Sequence, residues 1–115
     1  MTNIEIVKKE LQEAYNDDYA VRKLEYRSSV PVTYDELKEV LPIIGQYNNF
    51  DPKEVIKGLE EISDLLFYPA REGSVCLYIL PPTTYLDLKV IYEMSSSILA
   101  DEIGLQDHMI RLWWD

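Results

Sequence analysis

The sequence is poor in cysteine, histidine and glycine, and each shortage excludes a class of structure or chemistry. Cys76 is its only cysteine, which excludes an intramolecular disulfide, and its place in an apolar run favours a buried thiol in a reducing, cytoplasmic setting. A single histidine, His108, excludes a histidine-rich metal centre. The four glycines are scattered, so there is no glycine-rich phosphate loop. We therefore expect no enzymatic activity, no cofactor and no metal ion.

Basic residues and long apolar stretches are also scarce. Eleven lysines and arginines face 21 acidic residues, which gives a formal charge of −10. This surplus repels phosphates and disfavours binding to DNA or to anionic membranes. The chain nowhere approaches the roughly 20 apolar residues that a membrane helix needs. Acids are also mixed through its N-terminal segment, where a signal peptide would be apolar. We expect an intracellular, soluble protein.

What the chain does contain is typical of a folded globular domain. Hydrophobic residues make up 47% and charged residues 28% of its 115 residues. A chain of this length can bury a sizeable core. Because it has no repeats, low-complexity segments or linkers, we expect residues 1–115 to form one domain.

The N-terminal segment has the spacing of a helix. Between Ile4 and Tyr15 apolar residues recur at intervals of three and four, and Thr2 or Asn3 can cap the helix start. Polar residues then end the pattern. Residues 16–29 alternate only loosely, so they continue the helix or form a short strand.

Two further helices are predicted from capping boxes, in which the cap and the third helical residue satisfy each other's backbone donors. Thr33 with Glu36 opens one of them. Asp51 with Glu54 opens the other, which continues to Leu66. The exposed face of this last helix is predicted to carry Lys53, Glu54, Lys57, Glu60, Glu61 and Asp64.

Strand patterns follow. The segment LLFYPAREGSVCLYILPP, residues 65–82, has two apolar runs around a glycine-containing turn and predicts a hairpin. Its second run is apolar at every position, which predicts burial on both faces. After it, a wide helix is predicted from Tyr85 to Ile103, ended by Gly104, and the C-terminal HMIRLWWD is expected to form a short strand or docking tail.

A helix that opens with VTYDELKEVL, a turn, the helix PKEVIKGLEEISDLLFY and a hairpin directly after it resemble a winged helix-turn-helix domain over about residues 30–81. The resemblance implies an α+β, winged-helix-like small domain, here with an added C-terminal helix. It also implies that the second helix of the turn enters the DNA major groove and that the hairpin is a wing. On this basis the nucleic-acid contacts would be Lys53, Lys57 and Arg71. A helix with more acids than bases departs from that pattern.

The first hypothesis is therefore a non-enzymatic regulatory or protein-interaction module. Its candidate partner-binding residues are Glu54, Glu60, Glu61, Trp113 and Trp114. Tryptophans are enriched in interface hot spots. Docking on the domain's own core is the ordinary explanation for the pair, and a homodimer through the C-terminal helix and tail is the alternative. A DNA-binding transcriptional regulator is a variant of this hypothesis.

The second hypothesis is an acidic inhibitor or nucleic-acid mimic, of the kind found among small viral proteins. Its carboxylates would occupy the phosphate-binding groove of a protein that handles nucleic acid. The arrangement of charge distinguishes these hypotheses. A basic patch at Lys53, Lys57 and Arg71 favours DNA, whereas a continuous acidic face favours a mimic or a basic protein partner.

Overall fold

A computed structural model describes residues 1–16, 18, 23–80, 92–93 and 98–115. The helices are α1 (Asn3–Ala14), α2 (Tyr34–Ile44) and α3 (Pro52–Gly58), a short 3-10 helix spans Glu60–Ile62, and the strands are β1 (Glu25–Arg27), β2 (Phe67–Glu72), β3 (Ser74–Ile79), β4 (Glu102–Gln106) and β5 (Met109–Trp114). The described chain is thus of mixed α+β class, with three α-helices and a five-stranded antiparallel sheet. It contains no helix long and apolar enough to cross a membrane.

Side-chain caps determine where α1 and α2 begin. Thr2 forms a capping box with Glu5, and Thr33 forms one with Glu36. At α2 the Thr33 hydroxyl accepts a hydrogen bond from the Glu36 N–H at 3.2 Å. These bonds satisfy backbone donors that a first helical turn leaves unpaired. Both predicted helix starts are confirmed.

The third helix is shorter than the sequence predicts. Asp51 caps it, but its carboxylate accepts from the N–H two residues on, at 3.0 Å, so the predicted box with Glu54 is wrong. Helix α3 ends at Gly58, and the 3-10 helix Glu60–Ile62 follows. The predicted continuous helix to residue 66 is therefore also wrong. Glycine has no side chain to support a helix interior, and here it marks the end.

The predicted hairpin is confirmed, and it forms the middle of the sheet. The strand order is β1-β2-β3-β5-β4, so β2 and β3 each have a strand neighbour on both sides. Only Gly73 lies between them, with a φ of 71° that other residues adopt at a cost. Before α2, Val32 forms an isolated antiparallel bridge to Phe67.

Strand β3 is buried on both faces, as predicted. Val75, Leu77 and Ile79 face α1, α2 and α3 in the main core, and we call this the helix side of the sheet. Cys76 and Tyr78 face the opposite side, which we call the outer side, and they are 1% and 2% exposed. Alternate side chains of a strand point to opposite faces, so an all-apolar strand must be covered twice.

The C-terminal residues form a second hairpin, of β4 and β5, where the sequence predicts a helix end. Ile103 and Gly104 lie in β4, so the prediction of a helix reaching Ile103 and ended by Gly104 is wrong. Asp107 and His108 both have positive φ, 53° and 63°, as a type I′ turn requires. The predicted C-terminal strand is confirmed as β5. Of residues 81–97, the structure describes only Tyr92 and Glu93, which are helical. The rest of this segment, with most of the predicted helix and its proposed dimer contact, lies outside the described residues.

For residues 16–29 the sequence leaves helix and strand as alternatives, and the structure shows a strand in part of this segment. Glu25–Arg27 form a strand that pairs with β2.

Replacing Leu112 by alanine should lower the free energy of unfolding by about 2–5 kcal/mol, because its side chain is 1% exposed in the main core. Leu105→Ala on the neighbouring strand β4 is the matched control. Leu105 is 73% exposed, so its loss should change stability by about 0.5 kcal/mol or less. Urea unfolding of both variants measures this, and equal losses would contradict the assigned register of β4 and β5.

Candidate functional site

Three of the residues predicted to bind a partner, Glu54, Glu60 and Glu61, are exposed and lie in an acidic part of the chain. Residues 33–64, from the cap of α2 to the end of the 3-10 helix region, contain eight acidic residues and three lysines. Their formal charge of −5 is half of the charge of the chain. We call the exposed carboxylates among them the acidic surface: Asp35, Glu39, Glu54, Glu60, Glu61 and Asp64.

Packing joins the two halves of this surface. The Tyr34 hydroxyl donates to the Ile56 carbonyl at 2.6 Å and holds α2 against α3. Asp35 and Glu60 line one shallow groove between the start of α2 and the 3-10 helix. Lys38 lies within 3.3 Å of Asp35 and over the Tyr34 ring. The acids are therefore interspersed with a few lysines, and the surface is negative overall.

The three cations predicted to contact nucleic acid are placed differently from one another. Lys53 and Lys57 are exposed on α3, one helical turn apart. Arg71 lies on β2, half-buried, and points to the helix side. Its Nη1 donates to the Ala14 carbonyl at 2.7 Å, and its guanidinium lies over the Tyr15 ring. Arg71 is thus held by the end of α1 rather than projecting from the tip of a wing.

Arg71 also lines a cleft of about 340 Å³. Its walls come from the end of α1, the loop after α2 and the tip of the central hairpin. We call this the Arg71 cleft, and it is lined by Tyr15, Asn16, Ile44, Gln46, Tyr47, Arg71, Gly73, Ser74 and Val75. Neither Lys53 nor Lys57 lines it.

The two tryptophans have different surroundings because neighbouring residues of a strand face opposite sides of the sheet. Trp114 is fully buried in the domain's own core, where its ring meets Phe50 edge-on at 5.0 Å and its Nε1 donates to the Ile98 carbonyl at 3.0 Å. Trp113 is half-buried on the outer side, and its Nε1 donates to the Glu72 carbonyl at 3.0 Å. Of this pair, only Trp113 has side-chain surface to offer a partner.

A polar cluster on the outer side was not predicted from the sequence. The Glu72 carboxylate accepts hydrogen bonds from the Tyr78 hydroxyl, from the Cys76 thiol at 3.3 Å and from Arg111 Nε at 3.1 Å. Arg111 Nη1 also reaches Glu102 at 3.2 Å. Glu72, Cys76, Tyr78 and Arg111 come from three strands, so only the strand pairing brings them together. The one local signal was the alternation that placed Cys76 and Tyr78 on one face.

The electrostatics of this cluster favour a structural role. Partial burial raises the pKa of Glu72, but hydrogen bonds from Tyr78 and Cys76 and the charge of Arg111 outweigh it and lower the pKa. Burial and the neighbouring Glu72 carboxylate raise the pKa of the Cys76 thiol, which keeps it protonated and weakly nucleophilic at neutral pH. Among the described residues, no group of three metal-ligating side chains is placed to hold an ion.

The stabilising effect of Glu72 should depend on pH. A lowered pKa means that its contribution is present above the ordinary carboxyl pKa of 4.5 and is lost as the pH falls through the lower folded value. Glu72→Gln should therefore be destabilising near pH 7, and its difference from the unsubstituted protein should shrink below about pH 4. Urea unfolding at several pH values tests this. Glu39→Gln, at an exposed position, is the control, and a difference for Glu72→Gln that stays constant with pH would contradict the prediction.

Comparison with known proteins adds no further assignment. No protein-family model, no curated protein and no solved structure matches this chain. What the chain does is therefore inferred from the described residues alone.

Proposed function

We propose that this protein is a non-enzymatic protein-interaction module that binds a basic partner through its acidic surface. The observation that carries this is the charge of −5 on residues 33–64, with Glu54, Glu60 and Glu61 exposed. Complementary charge steers encounter and selects partners. An intracellular, cytoplasmic location belongs to the same proposal.

We further propose that the order α2, α3 and central hairpin corresponds to a winged-helix-like scaffold. In support are the order of the elements and the bridge of Val32 to Phe67 before α2. The hairpin differs from a DNA-contacting wing, because both of its strands are paired on both sides. The proposal therefore concerns the scaffold and not DNA contact.

DNA binding has less support from the same residues. Lys53 and Lys57 are surrounded in sequence by Glu54, Glu60 and Glu61, and each acid near a phosphate would oppose binding. Arg71 is engaged with the end of α1. The mimic hypothesis shares the acidic surface with the main proposal and differs only in the partner, a protein that handles nucleic acid.

Neutralising three acids of the surface tests the proposal. The triple variant Glu54→Gln, Glu60→Gln, Glu61→Gln should weaken binding to a basic partner at least tenfold, because three exposed ion pairs at about 0.5–1 kcal/mol each are lost. The control variant Glu13→Gln, Glu25→Gln, Glu93→Gln changes the net charge equally elsewhere. Proteins retained by each immobilised variant are identified, purified and titrated in a salt series. A partner set and affinities equal for both triple variants would refute the acidic surface as the binding site.

A binding assay with random duplex DNA distinguishes the protein-interaction proposal from DNA binding and from nucleic-acid mimicry. We expect no binding of the purified protein even at low salt. Binding that falls steeply as salt rises would show phosphate contacts and would contradict the proposal. For a partner found as above, displacement by DNA would identify the mimic version, and resistance to DNA would identify an ordinary protein interface.

A further inference from the structure

We propose that the Arg71 cleft binds the carboxylate group of a small organic acid. The cleft is a second site, because none of its lining residues belongs to the acidic surface. Its volume of about 340 Å³ is at the lower end of the range of ligand pockets in proteins. This inference is independent of the protein-interaction proposal.

The charge of Arg71 is the first observation in its favour. Three arginines lie in the described parts of the chain. Arg27 pairs with Asp107 at 3.2 Å, and Arg111 pairs with Glu72 at 3.1 Å. Arg71 has no carboxylate partner among the described residues, although the chain has a surplus of acids. A half-buried guanidinium with only a carbonyl and a ring beside it has capacity for an anion.

An unpaired donor is the second observation. Arg71 Nε is shielded from solvent and has no hydrogen-bond partner within the described structure. A buried donor without a partner is destabilising, and native proteins rarely leave one. A carboxylate bound in the cleft would supply the missing acceptor once the guanidinium turns slightly toward it.

The lining indicates the chemical class of the ligand. A guanidinium matches the planar geometry of a carboxylate and can donate two parallel hydrogen bonds to it. A single cation in a chain of charge −10 favours a singly charged acid over a phosphate dianion. The Tyr15 and Tyr47 rings, with Ile44, offer apolar and aromatic surface to the rest of the molecule. We therefore expect a small aromatic or similarly flat carboxylic acid.

Benzoate and benzamide are the matched probes, because they share a shape and differ in charge. Each is titrated into the ¹⁵N-labelled protein, and amide shifts are followed by NMR. Benzoate should bind saturably at about millimolar concentration, with the largest shifts at Gly73, Ser74 and Gln46, and benzamide should bind at least tenfold more weakly. Equal shifts with both probes, or shifts centred outside the cleft, would overturn the proposal.

Variants then assign the binding to Arg71. Arg71→Gln should weaken benzoate binding at least tenfold, whereas Arg27→Gln, which removes the same charge elsewhere, should change it less than twofold. Unchanged affinity in Arg71→Gln would overturn the proposal. If Arg71→Gln does not fold, Tyr47→Ala replaces it, and unchanged affinity in that variant would overturn the proposal in the same way.

A titration with a peptide distinguishes two sources of the carboxylate, a free small acid and the C-terminus of a partner chain. An acetylated dipeptide with a free C-terminal carboxylate is titrated beside benzoate. Tighter binding of the dipeptide assigns the cleft to the C-terminus of a partner chain, and tighter binding of benzoate assigns it to a free small acid. Either result supports carboxylate recognition, and failure of both ligands to bind overturns it.

Discussion

The burial of β3 on both faces is the constraint on which the rest of this structure depends. Its helix side closes the core against α1, α2 and α3, and its outer side carries Cys76 and Tyr78. Because side chains alternate along a strand, the register of the central hairpin decides the side on which every neighbouring group lies. Arg71 and Glu72 follow each other in sequence, yet one lines the cleft on the helix side and the other is the centre of the outer polar cluster.

The register of the strands also determines which charged side chains lie close together. Arg27 and Arg111 are paired with carboxylates across the outer side, which leaves their charge neutralised within the domain. The acids of α2, α3 and the 3-10 helix have only a few lysines among them. Half of the net charge of −10 is thus carried by residues 33–64, and Arg71 lies apart from that surface in a cleft of its own.

Much of the fold could be predicted from local signals in the sequence. The caps at Thr33 and Asp51, and the unbroken apolar run of β3, are determined by residues close in the chain. The sequence does not predict the β4–β5 hairpin because its turn, Asp107–His108, lacks the usual glycine, and because Gly104 matches the pattern of a helix end. Those errors come from patterns that a helix and a strand share over a few residues.

The candidate sites were less predictable, for a physical reason. The residues on α3 could be grouped because helical spacing places them on one face. The cluster around Glu72 and the Arg71 cleft are assembled by pairing between distant strands and by the packing of the end of α1, and local spacing carries no information on either. Arg71 could be singled out by its charge but not by its surroundings.

Four of the five strands form two local hairpins, β2–β3 and β4–β5, which are joined along β3 and β5. Residues within each hairpin are close in sequence, whereas the pairing of Val75 with Trp114 closes a loop that includes nearly all of the C-terminal third of the chain. Closing long loops costs more entropy and slows folding. The docking of two preformed hairpins is therefore expected to be the late step of folding, and the Glu72–Arg111 bond, which crosses that seam, forms only when this step is complete.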